Sequence, residues 1–215
     1  MELKLENILD KVFEMYNRYG IKSVTMDDVA SMLGMSKKTL YQYVKDKTEL
    51  VEKVVERLIQ NKECLQNEVY NKNFNALEEI FALAQIMNDH IKHYNPAMEY
   101  DLKKYYPAVY LKISETRRNK MYEAVAKNLR KGIANGLYRE ELDVDIITKI
   151  FVSRIELSLD NPVFERDEIT SFKVFIEMMI YHLHGICNSK GLEIIQERLK
   201  DAPFSENLNQ KAANA

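Results

Sequence analysis

Apolar positions recur three and four residues apart along almost the whole chain, the spacing of one face of an α-helix. Leu5, Ile8, Leu9, Val12, Phe13 and Tyr16 form the first such stripe, over 5–19. Gly20 follows it, and glycine suits the left-handed backbone that ends a helix. Thr25 then stands where an N-cap is expected, with Asp28 three residues on as the acidic partner of a capping box. The helix it opens is short, 26–33, and Gly34 stops it. Ser36 caps a third short helix, from Lys37 to about Val44. Asp46 or Thr48 opens a long fourth, with Leu50, Val51, Val54, Val55, Leu58 and Ile59 on its buried side. Further stripes predict helices over 75–94, 98–106, 109–135, 144–159, 167–188 and 192–199. Asn95-Pro96, Pro107, Gly136, Asp143, Asn161-Pro162 and Gly191 bound them. No run alternates with the period of a strand, and no repeat is visible. The fold class expected is all-α.

Composition narrows the picture. The chain has 215 residues, 46% apolar and 30% charged, a globular balance with enough length for a sizeable core. Six glycines and four prolines are too few for a turn-rich all-β chain. Two cysteines, Cys64 and Cys187, exclude a disulfide framework and a four-thiolate zinc site. Glu2, Lys4 and Glu6 interrupt any signal-peptide pattern, and no stretch approaches the ~18 unbroken apolar residues of a membrane span. A cytoplasmic chain with no membrane partner is expected. There is no phosphate-binding glycine loop, no His-Glu-x-x-His and no nucleophile elbow, so no catalytic residue and no cofactor are expected. His90 and His93 share a helix face but lack a third ligand, and no metal site is expected.

Residues 25–44 are the most informative. Two short helices joined by a glycine-containing turn form a helix-turn-helix pattern. Ala30 is small enough for the crossing, and Val29, Leu33 and Leu40 can fill a small core against Val12 and Phe13. The third helix is too polar to be a core helix. Over 36–47 there are four lysines against one aspartate, whereas over 1–50 the charges cancel, eight against eight. Lys37, Lys38, Thr39 and Gln42 are side chains that reach base edges in a major groove, and tyrosine hydroxyls and lysines suit phosphates. A helical hairpin with solvated lysines is the plainer alternative.

The run Ser36-Lys37-Lys38-Thr39-Leu40-Tyr41-Gln42-Tyr43-Val44-Lys45-Asp46-Lys47-Thr48-Glu49-Leu50 resembles the TetR (tetracycline-repressor-like) family of transcription regulators. The resemblance in motif covers 5–55. It implies a homodimer that places one recognition helix on each half-site of a palindromic double-stranded DNA operator. It implies phosphate contacts by Thr25, Tyr41, Tyr43 and Lys47. It implies base or groove contacts by Lys37, Lys38 and Thr39, with Gln42 and the capping Ser36 completing the DNA-binding set. Lys38 stands where the family pattern has glycine, and Val44 where it has phenylalanine.

The domain division expected is 1–48 for DNA binding, 49–201 for a helical ligand-binding and dimerisation domain, and 202–215 for a polar, small-residue tail. Residues 144–159 and 167–188 carry apolar residues on two faces. Ile150, Leu157, Phe172, Phe175, Met179 and Leu183 are therefore candidates for a dimer interface, against burial within one subunit. Tyrosines cluster around two prolines. A pocket for a small, mostly apolar effector is expected from Phe81, Met87, Ile91, Met98, Leu102, Tyr105, Tyr106, Tyr110 and Phe151, against ordinary core packing. Ten basic and two acidic residues over 103–139, followed by nine acidic and three basic over 140–168, admit two readings. One is mutual salt bridging; the other is an anionic ligand held near Arg117 or Arg118. The expected function is a ligand-released repressor; the rival is a helical small-molecule carrier or enzyme without DNA binding.

Overall fold

The computed structural model describes residues 2–92, 95–158 and 171–200, without the side chains of 2, 3, 90–92, 157 and 158. Ten helices lie among the described residues: α1 Glu2–Tyr19, α2 Met26–Met32, α3 Lys37–Leu40, α4 Lys47–Tyr70, α5 Ala76–Lys92, α6 Pro96–Tyr105, α7 Pro107–Ala134, α8 Val144–Ser158, α9 Phe172–Ile186 and α10 Ser189–Arg198. No helix among the described residues is long and apolar enough to cross a membrane.

The caps expected from sequence are in place. The Thr25 side chain accepts from the Asp28 amide, and Asp28 reciprocates toward the Thr25 backbone, a complete capping box. Ser36 caps α3. Asp46 Oδ1 accepts from the Glu49 amide at 2.8 Å, so Asp46 and not Thr48 opens α4. Asp143 caps α8 through the Ile146 amide. Several boundaries differ: α3 ends at Leu40 and not near Val44, α6 and α7 begin two residues early at Pro96 and Pro107, and Gly191 lies inside the first turn of α10, which Asn188 caps. A Cβ on Gly191 would sit 2.4 Å from the Leu137 carbonyl oxygen. This glycine thus permits a close approach rather than a turn.

The chain divides into two units by its internal contacts. One takes Met1–Asn67 and Tyr94–Arg117; the other takes Glu68–His93 and Arg118–Ala215. Within the first unit, α6 and the start of α7 share the core of the N-terminal helices. In the first unit Ile8, Val12, Tyr16, Ile21, Val29, Leu40, Leu50, Val51 and Val54 are buried together with Leu102, Val109 and Ile113. In the second, Leu77, Leu129, Tyr138, Leu183, Ile186 and Ile195 form the main core. Three polar groups pair within it: the Tyr138 hydroxyl donates to Asn128 Oδ1, and the Asn128 amide donates to Ala76 O and Glu79 Oε2. Lys131 balances Glu79 at 2.7 Å.

Candidate functional site

The first unit places a short polar helix on a buried anchor. Helix α3 is only four residues long, far below the length at which a helix stands alone in water. It is held from beneath by Leu40, with no exposed surface, and by Val44 just after it. Val44 is itself buried, so the smaller residue still closes that part of the core. Gly34, at φ +64°, makes the turn from α2 to α3. The Met35 amide donates to the Ala30 carbonyl at 3.0 Å across that turn. What remains outward is Ser36, Lys37, Lys38, Tyr41 and Gln42, all exposed, with Thr39 half-buried. The Ser36 hydroxyl accepts from the Thr39 amide at 3.1 Å and lies 2.8 Å from the Thr39 hydroxyl.

The other sequence-predicted DNA residues fall into two groups. Thr25 is exposed at the start of α2, with its hydroxyl on Asp28. That hydrogen bonding holds the Asp28 carboxyl below its ordinary range. Tyr43 is half-buried against the first unit's core. Lys47 is turned inward: its ammonium donates to the Ile21 carbonyl at 2.7 Å and the Lys22 carbonyl at 3.4 Å. Burial lowers its basicity, opposed by the carboxylates of Asp101 and Asp28. Lys37, by contrast, pairs in the open with Asp27 at 2.5 Å, and the bond raises its basicity.

The second unit forms a partly open cavity of about 110 Å³. Its walls are mainly apolar, from Ile80, Leu83, Val125, Leu129, Phe151 and Met179, with Tyr70, Asn128 and His182 as polar members. The His182 ring lies 4.4 Å from that of Phe151, centre to centre. Burial, with Arg154 adding to it, pushes the His182 pKa down to about 4, so its imidazole is neutral near pH 7.

Of the predicted effector residues, Phe151 lines this cavity. Phe81 packs against the second unit's cores. Leu102 is buried in the first unit's core, and Met98, Tyr106 and Tyr110 pack on it. Met87, Tyr105 and Arg117 are exposed, and the Ile91 side chain lies outside the described residues. Arg118 pairs with Glu156 at 2.7 Å. Of the predicted interface residues, Ile150 is 51% exposed, whereas Phe172 and Leu183 are buried within the chain. Met179 lines the cavity and Phe175 stacks on Phe172. The Leu157 side chain lies outside the described residues.

Sequence reasoning missed Asp27, Asp101, Tyr70, Asn128 and His182. Asp27 was within reach, being the acidic neighbour of a predicted cap. Asp101 lies 79 positions from its hydrogen-bond partner Lys22, and no spacing rule links them. Ile146 on α8 and Tyr181 on α9 are exposed as well. Among the described residues no group of three metal-ligating side chains occurs. Cys64 is exposed and Cys187 buried, the latter with its thiol pKa pushed up to about 12 by burial.

Comparison with known proteins agrees with this geometry. Residues 8–54 match the family model "Bacterial regulatory proteins, tetR family". The chain is 34% identical over 102 residues to YvaF of Bacillus subtilis, described as an HTH-type transcriptional regulator, covering 47% of this chain and 53% of that protein. The match thus spans about half the length of that relative. It is 23% identical over 145 residues to the HTH-type transcriptional repressor KstR2 of Mycolicibacterium smegmatis, covering 66% of this chain and 71% of that protein. In three dimensions it is similar to a transcriptional regulator from Cytophaga hutchinsonii, with a TM-score of 0.72 at 22% identity over 86% of this chain and 99% of that one.

Proposed function

Because the chain belongs to the TetR family of helix-turn-helix transcriptional regulators, we propose that it is a ligand-released repressor that binds a palindromic DNA operator as a dimer. The observation that carries this is α3: four residues, anchored by Leu40, presenting Lys37, Lys38, Tyr41 and Gln42 to solvent. In a dimer two such helices reach successive major grooves, about 34 Å apart, where lysine and glutamine read base edges and tyrosine hydroxyls hold phosphates. Thr25, exposed at the start of α2, adds a phosphate contact.

The effector site is the cavity of the second unit. Its apolar walls favour a small apolar molecule, and the neutral His182 imidazole provides a hydrogen-bonding group but no counter-charge. An uncharged effector fits this lining. Neither Arg117 nor Arg118 lines the cavity, so this reading places no anionic ligand there. Tyr70, the last residue of α4, is a cavity wall, while α4 begins at Lys47, six residues after Tyr41. A helix of 24 residues, about 36 Å long, thus carries a change at one end to the other. Ligand binding shifts the population toward a dimer whose recognition helices no longer match the operator spacing.

The test is DNA binding by the purified chain across a salt series. Duplexes are first selected by the wild-type protein from a random-sequence pool, then titrated with wild type and with Lys38→Ala, Tyr41→Ala. Tight, salt-sensitive wild-type binding to a palindromic consensus, lost in the double variant, is the expected result. A wild-type chain that enriches no sequence, or a variant that binds equally well, overturns the reading and favours the carrier.

A further inference from the structure

We propose that Asp101 is a positioning residue for DNA binding: with Lys47 it clamps the connector between α1 and α2 from two sides, and Lys47 acts through this clamp rather than as a phosphate ligand. The inference rests on the DNA-binding reading above and extends it to residues that do not face DNA.

The connector, 20–25, leads from the end of α1 to the cap of α2. Its backbone groups lie partly buried, where an unpaired amide or carbonyl is costly. Asp101 of α6 supplies one partner: its Oδ2 accepts from the Lys22 amide at 2.8 Å. Lys47 of α4 supplies the other, donating to the Ile21 and Lys22 carbonyls. Two opposite charges thus grip the same peptide stretch, the anion on a donor and the cation on acceptors. The residue entering the connector is fitted to this arrangement. Gly20 has φ +80°, and a Cβ there would stand 3.0 Å from Asp101 Oδ2. Tyr105, one turn along α6, adds a third tie by accepting from the Lys22 ammonium at 2.9 Å.

Asp101 is 9% exposed, and a carboxylate so enclosed is expensive unless its neighbours compensate. Lys22 N–H and the Lys47 charge are that compensation. Lys47 in turn lies in the field of two carboxylates, Asp101 and Asp28. A lysine already engaged by two carbonyls and two anions releases few counterions when a phosphate arrives. Lys38, exposed on α3, is placed to do so. Three residues past Lys22 stands Thr25, the cap of α2, so the clamp sets where α2 begins and hence where α3 points.

Salt dependence separates a clamp from a phosphate contact, because each phosphate neutralised contributes about −0.9 to the slope of log K against log salt. The duplex selected by the wild type is the probe, and hydrogen exchange at the Lys22 amide is the second readout. Asp101→Ala and Lys47→Ala are expected to weaken binding about tenfold with the wild-type slope. Lys22 exchange is expected to quicken in both. Lys38→Ala is expected to flatten the slope by about 0.9 and leave Lys22 exchange unchanged. Should Asp101→Ala lose its cooperative unfolding transition, Asp101→Asn replaces it. That variant keeps an acceptor but not the charge, and weakening of roughly threefold with an unchanged slope is expected. Wild-type affinity in the Asp101 variant overturns the proposal. So does a Lys47→Ala slope as flat as that of Lys38→Ala with Lys22 exchange unaltered. A wild-type chain that selects no duplex overturns the DNA-binding reading itself, whereas failure of the Asp101 and Lys47 variants alone leaves it standing.

Discussion

Lys37, a proposed DNA contact, is already paired. Its ammonium lies 2.5 Å from the Asp27 carboxylate, both exposed, and phosphate or base contact requires that bond to be exchanged. Asp27→Asn removes the competitor and a negative charge from the same face. Binding to the selected duplex should tighten by roughly threefold, read by fluorescence anisotropy at fixed salt. His182 makes a prediction about stability. Its folded pKa, about 4, is depressed from the ordinary 6.5, chiefly by burial. The unfolded chain therefore binds more protons below pH 6.5. The stability is fully present above that value and is lost as pH falls toward 4, by on the order of 3 kcal/mol. Denaturation of His182→Phe in urea should show a flatter loss between pH 6.5 and 4 than the wild type, after allowance for its altered baseline. An identical loss in both would place the titration elsewhere.

At the scale of elements, α2 and α3 are too short to persist alone and depend on caps and on one or two anchors. The Thr25–Asp28 box satisfies two orphan amides of α2, and Ser36 satisfies one of α3. Thr25→Ala should cost about 1 kcal/mol in thermal denaturation and weaken DNA binding as well. Thr25→Ser, which keeps the hydroxyl, should restore most of both. Loss of binding without loss of stability would make Thr25 a DNA contact only. Helix α6 shows a different principle. Its stripe of Met98, Leu102 and the following Tyr106 reads as pocket lining or core with equal ease. The structure puts all three with the N-terminal core. The Asn95 side chain, which caps α6, also donates to the Asn17 carbonyl of α1.

For the whole molecule, the exposed apolar side chains of the second unit bear on assembly. Ile146 and Ile150 lie four residues apart on α8, 52% and 51% exposed. Tyr181 on α9 is 73% exposed, with the Arg154 guanidinium of α8 5.1 Å from its ring centre. If this face is the dimer contact, Ile150→Glu should shift the mass seen by light scattering toward the monomer. It should also weaken operator binding by much more than tenfold, because each half-site then binds alone. The unfolding midpoint should change little, since Ile150 contributes little to the subunit core. A variant that stays dimeric would move the contact to another face.

Local chemistry made most of the secondary structure legible. Caps, glycine stops and apolar stripes are decided by residues within about four positions of each other, and the sequence read alone placed nearly every helix. The same locality exposed the candidate DNA-binding surface, because a polar helix on a single leucine anchor can be read from a dozen residues. The sequence alone did not determine which unit a helix joins. The apolar stripe of α6 is compatible with either, and long-range packing against Ile8, Val12 and Tyr16 decided it. Nor did it distinguish the inward Lys47 from the outward Lys38. Both are lysines near the recognition helix, and only the folded connector provides the carbonyls that turn one of them in. The buried imidazole of His182 and the carboxylate of Asp101 belong to the same class. Their roles come from partners and enclosure supplied by distant segments, which exist only once the chain has folded.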